Sequence, residues 1–168
     1  MDADKVGEDT MFRDAETTSA PSQPVGTGMT RDDIVALFDR RQAALENLDA
    51  GALIADYAPD CVVESPTGGT HEGRDAAQVV IQAFFDAFLD LKVRRESLLI
   101  DGPRAVQIES MEGTHVGPFL GMPPTGKHFR FMIALFCELR NGKIVHERRI
   151  YDFTGLLVQI GVLKAKPA

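Results

Sequence analysis

The sequence contains no tryptophan, only two cysteines and no long apolar run, and each shortage narrows what the protein can be. A membrane-spanning helix needs about 20 consecutive apolar residues, so we expect no membrane partner. Cys61 and Cys137 are far apart and form no CxxC pair, which favours buried free thiols over a disulfide framework. The four histidines show no HExxH spacing, and we therefore expect no metal site.

Basic residues are also scarce, because 18 lysines and arginines face 25 acidic residues, a net charge of −7. Binding to a phosphate backbone depends on clustered Lys and Arg, so no nucleic-acid partner is expected. The basic pairs Arg94-Arg95 and Arg148-Arg149 lie in strand-like segments. We interpret them as parts of a solvated face.

Residues 1–28 differ from the rest of the chain, since they hold few large apolar side chains and carry a net charge of −4. Such a segment buries too little to offset its ordering entropy, so it is predicted to be disordered. It has no apolar h-region and is too acidic for a transit peptide, which makes the cytoplasm the expected location. Residues 29–168 are expected to form a single domain.

Hydrophobic periodicity predicts an α+β domain. Thr30 and Asp33 have the spacing of a capping box, and apolar residues recur at helical spacing up to about residue 47. Strands and helices are segregated along the chain, which indicates helices on one face of a curved, largely antiparallel sheet, closed into a cone with an internal pocket. The predicted elements are helices at 30–47, 50–58 and 74–90, strands at 61–65, 92–100, 104–116, 127–140 and 143–153, and a short terminal helix.

Asn141-Gly142 between two strand-like runs is a strong hairpin signal, and a two-residue loop fixes the register of the strands. With Arg140 opposite Lys143, an uninterrupted ladder places Phe131 opposite Asp152 on the apolar face. A β-bulge between Asn141 and Asp152 would reverse this assignment. The same ladder also puts Ile133, Arg148 and Ile150 on the apolar face.

Asp152 on an apolar face would have a raised pKa and would suit general acid/base chemistry. It could equally cap the terminal helix, and its position alone does not decide between the two roles. The Gly- and Pro-rich segment 117–126 lies at the same end of the meander, flanked by His115 and His128. These histidines are either hydrogen-bond donors at a site or structural groups.

Three parts of the sequence carry a family resemblance: Gly113–Lys127, the turn Asn141–Ile144, and Asp152 with the following Leu156-Leu157 and Gln159–Gly161. Over residues 30–161 the sequence resembles the SnoaL-like polyketide (ester) cyclases. The resemblance implies the nuclear-transport-factor-2-like α+β cone shared with ketosteroid isomerases. It also implies aldol chemistry without a cofactor. In that chemistry the aspartate matching Asp152 takes a proton from a carbon next to an ester and a ketone, and the enolate closes a ring.

The sequence departs from the family in the run 147–151, which carries two arginines where many members are rich in aromatics. The substrate is therefore left open beyond a small apolar carbonyl compound. The leading hypothesis is an enzyme with Asp152 as general acid/base and His115 or His128 as donors to the enolate oxygen. The predicted pocket residues are Phe84, Phe88, Phe131, Ile133, Arg148 and Ile150.

Three alternatives remain open. An isomerase or a dehydratase would use the same aspartate, and a ligand-binding module without catalysis would use the same cone. The mixed outer face of the hairpin suggests a dimeric scaffold. A homo-oligomer, dimer or tetramer, is expected in each case.

Overall fold

The computed structural model describes residues 28–164, so the predicted disordered segment 1–28 lies outside the described residues apart from Gly28. Four helices and six strands form within this range. No helix among these residues has the length and apolarity needed to cross a membrane. The elements are α1 (Arg31–Glu46), α2 (Ala50–Ile54), β1 (Tyr57–Ser65), β2 (Gly69–Glu72), α3 (Arg74–Ala87), β3 (Lys92–Asp101), β4 (Arg104–Thr114), β5 (His128–Arg140), β6 (Lys143–Tyr151) and α4 (Phe153–Gln159).

The strands form one curled, unclosed sheet in the order β2-β1-β6-β5-β4-β3. Strands β3 to β6 make the predicted antiparallel meander, whereas β1 runs parallel to β6. Helix α1 packs against β3, and α3 packs against β1. The predicted α+β cone is therefore confirmed.

Two predicted boundaries near β1 are wrong. The second helix ends at Ile54 instead of residue 58, because Tyr57 and Ala58 are buried in the first strand, where Tyr57 pairs with Ile144. Pro59, just past the predicted end of that helix, lies inside β1. Residues 69–72 pair with β1 as a short edge strand, in a segment where no strand is predicted.

Helix α1 begins as its sequence predicts. The Thr30 hydroxyl accepts a hydrogen bond from the Asp33 amide at 3.2 Å, and the Asp33 carboxylate accepts one from the Thr30 amide at 2.8 Å. The buried stripe of the helix contains Leu37, Phe38 and Leu45, and also the charged Arg41, which is 2% exposed. Helix α1 thus places the positive charge of Arg41 in the interior of the cone.

A bulge in the β5-β6 hairpin reverses the predicted faces of β6. Asn141 and Gly142 both have positive φ, as the two-residue turn requires, and Arg140 pairs with Lys143 as predicted. Val145 is then left over, because Leu139 pairs with Ile144 but the next pair is Glu138 with His146. The register between β1 and β6 shifts at the same level, near Pro59, which has no amide hydrogen to donate.

A one-residue shift moves every later side chain to the other face of the sheet. Leu135 is therefore opposite Arg149, and Ile133 is opposite Tyr151. Arg148 and Ile150 point to the outer face, where Ile150 is 53% exposed, so their predicted place in the pocket is wrong. The predicted pairing of Phe131 with Asp152 is wrong for the same reason.

Candidate functional site

The interior of the cone contains a pocket between the inner face of the sheet, helices α1 and α3, and the loop at 118–120. About 930 Å³ there is unoccupied by protein atoms, part of it open to solvent. Most of the wall is apolar, and a smaller part is made of charged and hydroxyl-bearing side chains. Pockets for small molecules have this composition, with a few polar groups that fix the orientation of the ligand.

Three of the predicted pocket residues, Phe84, Phe131 and Ile133, lie on this wall. Phe88 does not line the pocket. It is fully buried behind it, and its ring packs against Phe84 with ring centroids 4.8 Å apart and against Phe129 at 4.7 Å. Phe88 therefore supports the wall without facing a ligand.

Asp152 is the N-cap of α4. Its Oδ1 accepts a hydrogen bond from the Gly155 amide at 2.7 Å, and the residue is exposed and does not line the pocket. The structure thus places Asp152 as a helix cap. A catalytic role for the same residue stays a prediction.

The two predicted histidines are separated from the pocket wall. His115 is fully buried, with its Nδ1 3.1 Å from the Thr125 hydroxyl and its ring 5.6 Å from that of Phe88. His128 is exposed at the start of β5. His115 thus lies within the packing that holds the loop 115–127, and neither histidine lines the pocket.

The bulge in β6 directs Glu147 into the interior, where it joins a buried ionic cluster. Glu147 Oε2 accepts hydrogen bonds from Arg41 at 3.0 Å and from the Tyr57 hydroxyl at 2.5 Å, and Oε1 accepts one from Arg149 Nε at 2.6 Å. Arg41 also donates to the Tyr57 hydroxyl at 2.5 Å. We call Arg41, Tyr57, Glu147 and Arg149 the buried ionic cluster.

The electrostatics of this cluster keep Glu147 ionised. Burial works against its charge, but the guanidinium groups of Arg149 and Arg41 and the Tyr57 hydroxyl outweigh burial and lower its pKa to about 2. The pKa values of Arg41 and Arg149 are raised by their acidic neighbours although burial opposes this. All three groups therefore remain charged across the physiological pH range.

A second buried carboxyl group, Glu109, has a different environment. It lies on the inner face of β4, is fully buried and lines the pocket. Gln107 donates a hydrogen bond to its Oε1, whereas its Oε2 has no hydrogen-bond partner among residues 28–164. Burial raises the pKa of Glu109 to about 7, with Arg41 opposing the rise and Glu147 adding to it.

Sequence reasoning missed Glu109 because the alternation along β4 is misleading. The apolar Val106 and Ile108 lie on the outer face, and the polar Gln107 and Glu109 lie on the inner face. One signal was available, namely Arg41 within the otherwise apolar stripe of α1. A buried arginine needs buried acceptors, and these had to come from the inner face of the sheet.

A set of hydroxyl groups lies along another part of the wall. Tyr151 follows Arg149 on the inner face of β6 and donates a hydrogen bond to Thr67 at 2.8 Å. Ser65 lies 2.8 Å from Thr67 and 3.3 Å from the Tyr151 hydroxyl. The ring of Tyr151 stacks on Phe131 with centroids 5.1 Å apart, so this polar set borders the apolar wall.

The part of the chain that the structure describes holds no group of three or more His, Cys, Asp or Glu side chains placed to hold a metal ion. Cys61 and Cys137 are buried and free, as their sequence context predicts. The titratable groups of the pocket are therefore carboxyl, guanidinium and phenol groups. Proton transfer and anion binding are the chemistry that such groups supply.

The family model described as SnoaL-like polyketide cyclase matches residues 36–160. The nogalonic acid methyl ester cyclase of Streptomyces nogalater is 33% identical over 109 residues, which cover 63% of this chain and 78% of that protein. The structure of AclR from Streptomyces galilaeus matches with a TM-score of 0.71 and 25% identity, covering 82% of this chain and 87% of that one. A Catenulispora acidiphila protein with a ketosteroid isomerase-like fold is similar in fold alone, with a TM-score of 0.65 and 17% identity over 78% of this chain and 97% of that one.

Proposed function

The chain belongs to the SnoaL-like polyketide cyclase family, and we propose that it catalyses aldol-type acid/base chemistry on a small carbonyl compound, with Glu109 as the proton-transfer group. One observation carries the proposal. Glu109 is a fully buried carboxyl group with a pKa of about 7, on the wall of an apolar pocket, and one of its oxygens has no hydrogen-bond partner within residues 28–164. An acid whose pKa is close to the working pH can both take up and return a proton.

In the proposed reaction the Glu109 carboxylate removes a proton from the carbon between an ester and a ketone of the substrate. The electron pair is held as an enolate, and the enolate carbon forms a bond to a second carbonyl carbon of the same molecule. The oxygen of that second carbonyl then takes the proton back from Glu109. All atoms of the substrate are retained in the cyclic product, and the carboxyl group ends as it began.

The neighbours of Glu109 suit this cycle. Gln107 holds Oε1 by a hydrogen bond, which orients the carboxyl group and leaves Oε2 for the substrate. Arg41 is held by Tyr57 and Glu147 and presents a fixed positive charge to the ionised form of Glu109. Fixed charges in an interior with little water stabilise charge changes more strongly than solvent does.

Asp152 remains a second candidate for the same role, as the family resemblance implies. Its position as an exposed cap requires the substrate to reach the start of α4, outside the pocket wall. The two carboxylates can be separated because Asn preserves a helix cap as well as Asp does, whereas Gln preserves the shape of Glu. Amide variants therefore remove the acid/base function with little change in structure.

The experiment measures exchange of the acidic C–H of an aryl β-keto ester with deuterium in D2O by NMR. We expect Glu109→Gln to lower the catalysed exchange rate by about 100-fold or more, the usual contribution of a general base. Glu112→Gln is the matched control. Glu112 lies on the same strand as Glu109, but it shares the outer face of β4 with Ser110 and is half-exposed. Full activity of Glu109→Gln together with loss of activity in Asp152→Asn would assign the chemistry to Asp152 instead.

The same assay separates the remaining alternatives. An isomerase or dehydratase would show Glu109-dependent exchange and would be recognised by its product, a shifted double bond or a lost water. A binding module would bind the compound without accelerating its exchange. Binding of the β-keto ester by the wild-type protein with no exchange above the buffer rate would refute the catalytic proposal.

The outer face of the sheet bears on the oligomeric state of the protein. The outer face of the sheet exposes Met132 (59%), Phe136 (44%) and Ile150 (53%), and such apolar patches commonly mark protein contacts. We therefore retain the prediction of a homo-oligomer, either a dimer or a tetramer. The cytoplasm remains its predicted location, which rests on the sequence of residues 1–28 and not on this surface. Analytical ultracentrifugation showing only monomer at micromolar concentration would exclude the oligomer.

A further inference from the structure

Arg149 lines the pocket, and part of its guanidinium group forms no hydrogen bond with the residues that the structure describes. Its Nε donates to Glu147 Oε1, whereas its two terminal nitrogens have no hydrogen-bond partner among residues 28–164. Its side chain keeps 18% exposure, compared with 2% for Arg41, both of whose terminal nitrogens are engaged. The terminal N–H groups of Arg149 are therefore available to a ligand.

The geometry of an arginine head group defines what it binds best. The terminal N–H groups of a guanidinium match the two oxygens of a carboxylate and form two parallel charge-assisted hydrogen bonds. A neutral ester offers one carbonyl oxygen and no negative charge. Arg149 therefore distinguishes a carboxylate from its ester more strongly than an apolar wall can.

The charge balance of the interior favours the same conclusion. Arg41 and Arg149 carry two positive charges, and Glu147 carries one negative charge. Glu109 is the one group among these four charged residues whose pKa lies near neutral pH, so only its charge changes there. Arg95, opposite Glu109 on β3, is already paired with Asp39 at 2.5 Å and adds no free charge. Whenever Glu109 is protonated, Arg41, Arg149 and Glu147 leave a net charge of one positive unit in the pocket, and an anionic ligand would neutralise it.

The walls on either side of Arg149 indicate the rest of the ligand. Phe84 and Phe131 provide aromatic surface, while Tyr151 and Thr67 border Arg149 with hydroxyl groups. An apolar ring system with one acidic substituent matches this distribution. The arrangement is less suited to an uncharged ring, which would desolvate the terminal nitrogens of Arg149 without offering them an anionic acceptor.

We propose that the substrate carries an ionised carboxylate beside its apolar ring system, separate from the reacting carbon, and that the terminal nitrogens of Arg149 bind it. Arg149 is then a specificity-determining residue that selects a free acid over the corresponding ester. This inference rests on the proposed function only in taking the pocket as the substrate site. It does not require Glu109 to be the proton-transfer group.

The experiment uses 2-naphthoate and methyl 2-naphthoate as probes, with affinities measured by isothermal titration calorimetry near neutral pH. The wild-type protein should bind the acid at least about tenfold more tightly than the ester. Arg149→Gln should lose this preference through weaker binding of the acid, with ester affinity unchanged within about twofold. Arg149→Lys should keep part of it, because the charge remains without the planar fork.

The matched control is Arg148→Gln, which changes the adjacent arginine on the outer face and should leave the preference intact. Equal affinities of the wild-type protein for both probes, or absence of naphthoate binding at millimolar concentration, would overturn the inference. So would a preference that survives in Arg149→Gln.

Failure of the proposed function gives a different pattern. If naphthoate binding depends on Arg149 but Glu109→Gln exchanges the β-keto ester at the wild-type rate, Glu109 is not the acid/base and the anion site stands. If Glu109→Gln abolishes exchange and Arg149→Gln binds naphthoate normally, the catalytic proposal stands and the anion site is wrong.

Discussion

The folded protein should lose stability between pH 5 and pH 8 because of one carboxyl group, Glu109, and replacement by glutamine should remove that loss. Burial raises the pKa of Glu109 to about 7, above the ordinary value of 4.5 that it regains on unfolding. The folded state therefore favours the protonated form. Its contribution to stability is complete below pH 4.5 and is lost as the pH rises through 7.

The magnitude follows from the two pKa values. Between about pH 5 and about pH 8, proton linkage for one group with these pKa values lowers the free energy of unfolding by roughly 2 to 3 kcal/mol. In a protein of this size, 1 kcal/mol corresponds to about 2 to 4 °C in Tm. The expected loss attributable to Glu109 is then about 5 to 10 °C across this range.

The assay is thermal unfolding by circular dichroism at pH 5, 6, 7 and 8 for the wild-type protein, Glu109→Gln and the control Glu112→Gln. Other groups titrate in all three proteins, so the informative quantity is the difference in Tm between variant and wild type. Glutamine at 109 leaves a buried N–H2 group near Gln107, which shifts stability by an amount independent of pH. The Tm difference should therefore become more positive as the pH rises, and a difference that stays constant from pH 5 to 8 would refute a raised pKa for Glu109.

Two further predictions concern the surroundings of the pocket. Asp152→Ala should lower the free energy of unfolding by about 1 kcal/mol, because the first turn of α4 loses its acceptor, whereas Asp152→Asn should change it by less than about 0.5 kcal/mol. Urea denaturation measures both, and equal losses would contradict a cap role. Gly117→Ala should cost about 1 to 3 kcal/mol, because its Cβ would lie 2.2 Å from a backbone oxygen of α3. Gly51→Ala, whose nearest neighbour would be a side-chain atom at 3.4 Å, should show no such loss in the same measurement.

Much of the fold could be predicted because its strongest signals are local. The capping box at Thr30, the helical periodicity of α1 and α3, and the Asn141-Gly142 turn each specify structure within a few residues, and each is present in the structure. The short strand β2 was not predicted, since three of its four residues are exposed and they carry little hydrophobic pattern. Its pairing with β1 is decided by tertiary contact, which local pattern does not encode.

The site was harder to predict than the fold, for two physical reasons. The bulge at Val145 has no marker in the sequence, yet it decides whether Arg148 or Arg149 faces the interior. On β4 the inner face is the more polar one near Glu109, so hydrophobic alternation points to the opposite face. Buried charges become stable only through partners on other elements, here Arg41 of α1 and Glu147 of β6, and such pairing is visible only once the chain is folded.

The bulge at Val145 sets the side of the sheet that each later residue of β6 occupies, because Val145 has no partner on β5. If Val145 paired with Glu138 in an unbroken ladder, Glu147 and Arg149 would move to the outer face and Arg148 and Ile150 would replace them. Arg41 would then be buried without its carboxylate. Deleting Val145 would instead join Ile144 to His146 and keep every later pair, so the ionic interior tolerates the loss of this residue but not its insertion into the ladder.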